Sequence, residues 1–278
     1  MPGQITLDTP FGAALKDLAA DPAYKIYIES GTFDGEGSTK CLVEGLEARS
    51  PEDLSGAGLF SFEANKQLWM VASRYWQDKN PPLRILWGRL GEQMMGKEKV
   101  EAHPLFEKIK EHYDLYYEKD VEWFLKAPLI RMRRCDVWLC DGGEFSTEGE
   151  WDAIRVLKPK VVALDDIHVV KCNDLYNLLV GAGWKQLFVT STRNGAAILE
   201  SPGDVDCYYP QLPVWRPAAE PDTAADTAGY TQASAHDSLH TTAAPAQPSA
   251  HDSLHTTAGD AQPPSHDSLR DTAASAQP

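Results

Sequence analysis

Long apolar runs, a basic excess and paired cysteines are the features this 278-residue chain does without. No apolar stretch approaches the roughly 20 residues that span a bilayer, so membrane insertion is not expected. Lys and Arg number 26 against 41 Asp and Glu, a formal net charge of −15. That balance disfavours nucleic acids and anionic membrane surfaces as partners, because both select basic patches. Cys41, Cys135, Cys140, Cys172 and Cys207 form no CxxC pair and are odd in number. Reduced cysteines in a cytoplasmic protein, several packed as small apolar side chains, are the simplest expectation. The N-terminus lacks the basic segment and continuous apolar segment of a secretory signal. A GxSxG elbow is missing, which disfavours serine hydrolysis.

Trp, Phe, Cys and Met all vanish after Trp215. Residues 216–278 are rich in Ala, Thr, Ser, Pro, His and Asp and carry a fifteen-residue repeat: Ser234 to His240 returns at Ser249 to His255 and, imperfectly, at Pro264 to Arg270. So polar a repeat buries no core, and a disordered low-complexity tail is expected. The spacing of His236/His240 and His251/His255 would suit a metal on a helix. Their Ser, Thr and Pro neighbours make a stable helix there unfavourable.

What is present lies in residues 1–215, where eight Trp, ten Tyr and eight Phe (all but one Tyr, Tyr230) supply ample core material. Apolar strands are expected at 24–29, 58–63, 83–88, 136–141, 160–165, 185–191 and 195–201. Helices are expected at 11–20, 38–48, 65–77, 104–112, 120–133, 147–157 and 172–181. The alternation predicts an α/β, Rossmann-like, doubly wound sheet of seven mostly parallel strands. The last two strands, joined only by Thr192-Arg193-Asn194, should close it as an antiparallel hairpin. Ligands of such sheets bind at the carboxyl ends of the strands.

Four motifs fall at those ends. The first is Glu29-Ser30-Gly31-Thr32-Phe33-Asp34-Gly35-Glu36-Gly37-Ser38, a strand running through a glycine-rich turn into a helix. It lacks the Lys-Ser/Thr ending of a P-loop, and Glu29 stands where a phosphate binder would want a cation. Glu63, followed by Ala64, closes the second strand, where an acid can accept from ribose hydroxyls or serve the next helix's dipole. The others are Asp141-Gly142-Gly143-Glu144 after the fourth strand and Asp165-Asp166, followed by His168, after the fifth. Three carboxylates so close call for a cation or a proton between them, and an all-oxygen set suits Mg²⁺ or Mn²⁺. Helix capping by Asp141 and Asp166 is the plainer alternative. Glu144 and His168 are the nearby candidates for a general base. Arg131 to Arg134 reads as a solvated helix end, and residues 89–134 as the cover over an acceptor.

Together these motifs resemble the class I S-adenosylmethionine-dependent methyltransferases over residues 20–201. The resemblance implies that Gly31, Thr32, Phe33, Gly35, Gly37 and Ser38 cradle the methionine part of the cofactor. Glu29 would lie near its amino group, Glu63 and Ala64 at its ribose, and Asp141 and Gly142 beside them. Asp141-Gly-Gly-Glu-Phe-Ser-Thr with Leu164-Asp165-Asp166 is most similar to metal-dependent sugar O-methyltransferases of the macrocin type. More loosely, the chain resembles methyltransferase-like domains in glycan-building proteins of large algal viruses. Those likenesses imply S-adenosylmethionine as cofactor, Mg²⁺ or Mn²⁺ on Asp141, Asp165 and Asp166, and catalytic roles for Asp141, Glu144, Asp166 and His168. They also imply a sugar or glycan acceptor; a second copy of the chain is the other partner to consider. The family's usual Asp-Gly-Asp is Asp141-Gly142-Gly143 here, so one carboxylate of its pattern is missing. A glycosyltransferase using a nucleotide-sugar and a non-catalytic scaffold are the alternatives. A NAD-dependent oxidoreductase fits less well, because the loop reads GTFDGEG and not GxGxxG.

Overall fold

The computed structural model describes residues 4–213. The tail repeat, its histidine pairs and the boundary at 215 lie outside the described residues. In chain order the elements are α1 (Pro10–Ala20), β1 (Ile26–Ser30), α2 (Ser38–Glu47), α3 (Pro51–Leu54), β2 (Gly58–Glu63), α4 (Lys66–Trp76) and β3 (Leu83–Trp87). There follow α5 (Lys97–Glu101), α6 (Lys110–Lys126), β4 (Val137–Cys140), α7 (Thr147–Arg155), β5 (Val161–Asp165), α8 (Val170–Gly181), β6 (Lys185–Thr190) and β7 (Ala196–Glu200).

The seven strands form one sheet in the order β3-β2-β1-β4-β5-β7-β6. β1 to β5 run parallel, and β7 pairs antiparallel with both β5 and β6. The order reverses between β1 and β4, which splays the loops after Ser30 and Cys140 apart and opens a crevice there. Period-two alternation divides β4 between two cores. Val137 and Leu139 face α1 and α2 among Leu15, Leu42 and Leu46. Trp138 and Cys140 face the side of α7 and α8, where Trp138 stacks on Trp151 at 6.0 Å. Among the described residues no helix is long and apolar enough to cross a membrane. Cys41, Cys135, Cys140 and Cys172 are buried free thiols, and Cys207 is an exposed one.

The connection from β3 to β4 departs from the expected pair of helices. One helix, α6, runs through the expected gap at 113–119, because Tyr113 and Tyr117 pack edge-on against the buried Phe145. It stops at Ala127, whose ψ of 133° is the extended backbone that Pro128 imposes on the residue before it. Residues 127–133 are therefore not helical, and Arg131 to Arg134 is no helix end. Arg131 pairs with Glu92 instead, and Arg134 with Asp136.

Candidate functional site

A cavity of about 560 Å³ opens at the carboxyl ends of β1 to β5, within the range of small-molecule sites. Its floor is the loop after β1. Gly31 and Thr32 donate their amides to Phe62 O at 2.8 and 3.1 Å, tying the loop to β2. Gly31 has φ of +91°, and a Cβ there would stand 2.1 Å from the carbonyl oxygen of Asp141. Only glycine lets these two loops meet so closely. Phe33 also has a positive φ, 53°, which directs its amide at Glu63 Oε2, 2.8 Å away. Asn65 N donates to the other oxygen at 2.8 Å. Burial pushes the Glu63 carboxyl up to about 7, against the pull of these amides. Each oxygen keeps lone-pair capacity for a further donor.

Thr32, Phe33, Gly37, Ser38, Glu63, Ala64, Asp141 and Gly142 line the cavity. Gly35 sits behind it, its carbonyl accepting from Trp76 Nε1 at 2.9 Å. Glu29 differs most from expectation. It is fully buried beneath the loop, accepting from Ser38 Oγ at 2.6 Å, Thr39 Oγ1 at 2.7 Å and Ser61 Oγ at 2.5 Å. It therefore braces the loop from below and is not among the residues that line the cavity. Burial raises it from 4.5 to about 7.

That shift has a measurable consequence. A carboxyl held above its unfolded value stabilises the fold fully at low pH and loses the contribution as pH rises through the folded value. Here the window is 4.5 to about 7, worth up to about 3 kcal/mol. Glu29→Gln cannot ionise, so the stability difference between variant and wild type should move in the variant's favour by up to that amount between about pH 5 and about pH 8. Urea unfolding at the two pH values checks this; an unchanged difference would mean that Glu29 ionises freely.

Beyond the loop lie the three aspartates. Asp141, Asp165 and Asp166 each offer one oxygen within 4.8 Å of the others, a spacing a divalent ion could bridge. The expected neighbours were incomplete, however. Lys171, in the first turn of α8, inserts its ammonium among them, 2.8 Å from Asp141 Oδ1 and 3.2 Å from Asp166 Oδ2. Arg193, in the β6–β7 turn, stands 3.4 Å from Asp165 Oδ2. Burial works against the Lys171 ammonium, but Asp141, Asp166 and Asp165 outweigh it and hold the ammonium well above its ordinary range. Asp165 is pushed up to about 8 by burial and by the charge of Asp141. Burial also opposes ionisation of Asp166, yet the charges of Lys171 and, more weakly, Arg193 hold it below its ordinary value. One ammonium thus lies between two carboxylates and a guanidinium faces the third, and the donor set does not fit a dication while Lys171 stays in place. Neither Asp141 nor Asp166 caps a helix: α7 starts after Ser146 and α8 after Val169.

The two base candidates part company. Glu144 lines the cavity, and its Oε1 is buried without a partner. Burial pushes it up to about 7, with Lys171 opposing. Asp166 has a φ of 63°, and two residues later His168 is exposed. Its ring lies against Gly195, where a Cβ would be 2.3 Å from Cδ2, and it does not line the cavity.

The missing wall is α6. His112, Tyr116, Asp120, Trp123 and Phe124 follow its helical stripe and line the cavity. The His112 ring lies 4.8 Å from that of Tyr116, and its Nε2 is 4.0 Å from Asp120 Oδ2. Burial, then the charge of Lys171, lowers the imidazole's pKa, with Asp166 opposing. Burial raises Asp120 to about 6. Glu150, buried under Gly142 and hydrogen-bonded by Ser146 Oγ at 2.7 Å, completes the acidic lining. Spacing alone held one recoverable signal: Lys171 follows Asp166 by five residues, across one short strand-to-helix turn.

No family model matches the sequence, and neither does any curated protein. Solved structures resemble it at low identity. An O-methyltransferase from Bacillus cereus in complex with SAH aligns over 72% of this chain and 84% of its own, at 14% identity and a TM-score of 0.44. The O-methyltransferase TomG from Streptomyces achromogenes, involved in tomaymycin synthesis and in complex with SAM, aligns over 70% and 81%, at 15% identity and a TM-score of 0.44. An SAH-bound methyltransferase from Podospora anserina aligns over 68% and 76%, at 10% identity and a TM-score of 0.43.

Proposed function

We propose that the chain transfers the methyl group of S-adenosylmethionine to a hydroxyl of a sugar or glycan acceptor. The observation that carries this reading is the acid-rich lining of the cavity together with the engagement of its cations. Its acids include Glu63, Asp120, Glu144 and Glu150, whereas each basic side chain among its lining residues is already engaged. Arg89 donates to the carbonyls of Ala127, Gly91 and Glu92, and Lys171 and Arg193 hold the aspartates. A diphosphate, as in a nucleotide-sugar or NAD, would find no free cation there. A sulfonium with an ammonium and one carboxylate bears a net positive charge, which this lining favours.

The cofactor would lie with its methionine part along Gly31 to Ser38 and its ribose hydroxyls donating to Glu63. The sulfonium methyl is intrinsically electrophilic, so catalysis reduces to alignment and proton removal. The acceptor oxygen forms its bond to the methyl carbon while the carbon–sulfur bond breaks, its electron pair going to sulfur. The hydroxyl proton would go to His112, the one imidazole among the described cavity residues, neutral near pH 7 and with Asp120 Oδ2 4.0 Å from its Nε2. Glu144, through its unpartnered oxygen, would accept from a second hydroxyl, which is why a polyol suits the site.

Incubation with S-adenosylmethionine and a panel of methyl glycosides of deoxysugars, followed by release of S-adenosylhomocysteine, tests the activity. His112→Ala should lower turnover on the order of 100-fold and leave cofactor affinity unchanged. Full turnover in that variant removes His112 from the proton path. Failure of every glycoside, with turnover of an amine or a phenol instead, removes the sugar.

A further inference from the structure

We infer that Lys171 is the resident cation of the Asp141, Asp165 and Asp166 cluster and that it keeps a divalent ion out. One oxygen of each aspartate already faces a cation: Asp141 Oδ1 and Asp166 Oδ2 accept from Lys171 Nζ, and Asp165 Oδ2 lies 3.4 Å from Arg193. The lysine side chain is only 5% exposed, so its charge is neither solvated nor screened by water.

Its position is fixed from several sides. The link Ile167 to Val169 is pinned to the hairpin turn, Ile167 N donating to Gly195 O at 3.1 Å and His168 N to Asn194 O at 2.8 Å. Asn173 Nδ2 closes it from the other side on Ile167 O at 2.8 Å. The residues flanking Lys171, Val170 and Cys172, are wholly packed in the core. Turning the lysine out to water would leave Asp141 and Asp166 without their ammonium. A dication among the aspartates would have to sit beside the ammonium, and like charges so placed repel strongly at low dielectric. Asp166 Oδ1, buried without a hydrogen-bond partner, is then left for a neutral donor such as an acceptor hydroxyl.

Exclusion of a dication by Lys171 does not depend on methyl transfer. Only its corollary, that turnover survives EDTA, rests on the function proposed above. The test is titration of the EDTA-treated, dialysed full chain with Mn²⁺, followed by the paramagnetic resonance of the free ion and by calorimetry. Wild type should leave Mn²⁺ free up to millimolar concentrations. Lys171→Gln should bind one Mn²⁺ at least about tenfold more tightly and melt higher with Mn²⁺ than without it. Micromolar binding of one Mn²⁺ by wild type, lost in Asp165→Asn, overturns the inference; so does a folded Lys171→Gln that gains no affinity. If Lys171→Gln does not fold, the wild-type titration alone decides. Absence of S-adenosylmethionine binding would sink the proposed function and leave this titration unaffected.

Discussion

Lys171→Met should cost about 3–5 kcal/mol of stability, the usual effect of removing one partner from a buried ion pair. Methionine keeps the length and apolar stem of lysine, so the loss isolates the charge. Asp141 and Asp166 would be left without the ammonium that now lies 2.8 and 3.2 Å from them. For a domain of this size the melting temperature should fall by roughly 6–20 °C. Adding Asp166→Asn to Lys171→Met should recover part of the loss, because an orphaned charge costs more than a pair removed together. Lys171→Arg keeps the charge and should lose less than Lys171→Met. A fall of under about 1 kcal/mol in Lys171→Met would show that water reaches the cluster, which is the surface-pair result.

Gly31→Ala should abolish cofactor binding. The new Cβ would stand 2.1 Å from the carbonyl oxygen of Asp141 and 2.6 Å from its carbon, both backbone atoms that cannot swing aside. The positive φ adds strain for any residue with a side chain. Relief requires the loops after β1 and β4 to separate, and these carry the Phe33 amide, Asp141 and Gly142. We expect affinity for S-adenosylmethionine to fall more than about 1000-fold, roughly 4 kcal/mol. Gly37→Ala is the control, since its Cβ would meet only Ile5 O at 3.3 Å; it should stay within about tenfold. Calorimetry on both variants checks the contrast, and equal affinities would detach the Gly31 contact from ligand binding.

The strand pattern was legible because it depends on short-range alternation and on apolar runs long enough to be buried on both faces. Glu63, Asp141, Asp165 and Asp166 stand at strand ends in the sequence pattern and line the cavity in the structure. The misreadings arose where tertiary contacts decide. Tyr113 and Tyr117 made the middle of α6 helical by packing on Phe145, while Pro128 ended it early. Chain proximity favours His168 as a general base, but it is exposed and does not line the cavity, whereas His112 reaches it from α6. The sequence places Glu29 as a ligand contact because nothing local shows that Ser38, Thr39 and Ser61 enclose it. Lys171 escaped notice because a buried lysine is rare, and only the three carboxylates around it make its burial tolerable.

Calorimetric titration of the full chain with S-adenosylmethionine and S-adenosylhomocysteine tests the central claim most directly. The acid-lined cavity and the Gly31 loop predict saturable binding of both at micromolar concentration, in the presence of EDTA, with loss in Gly31→Ala. Binding of neither, with saturable binding of a UDP- or GDP-sugar or of NAD, would contradict it.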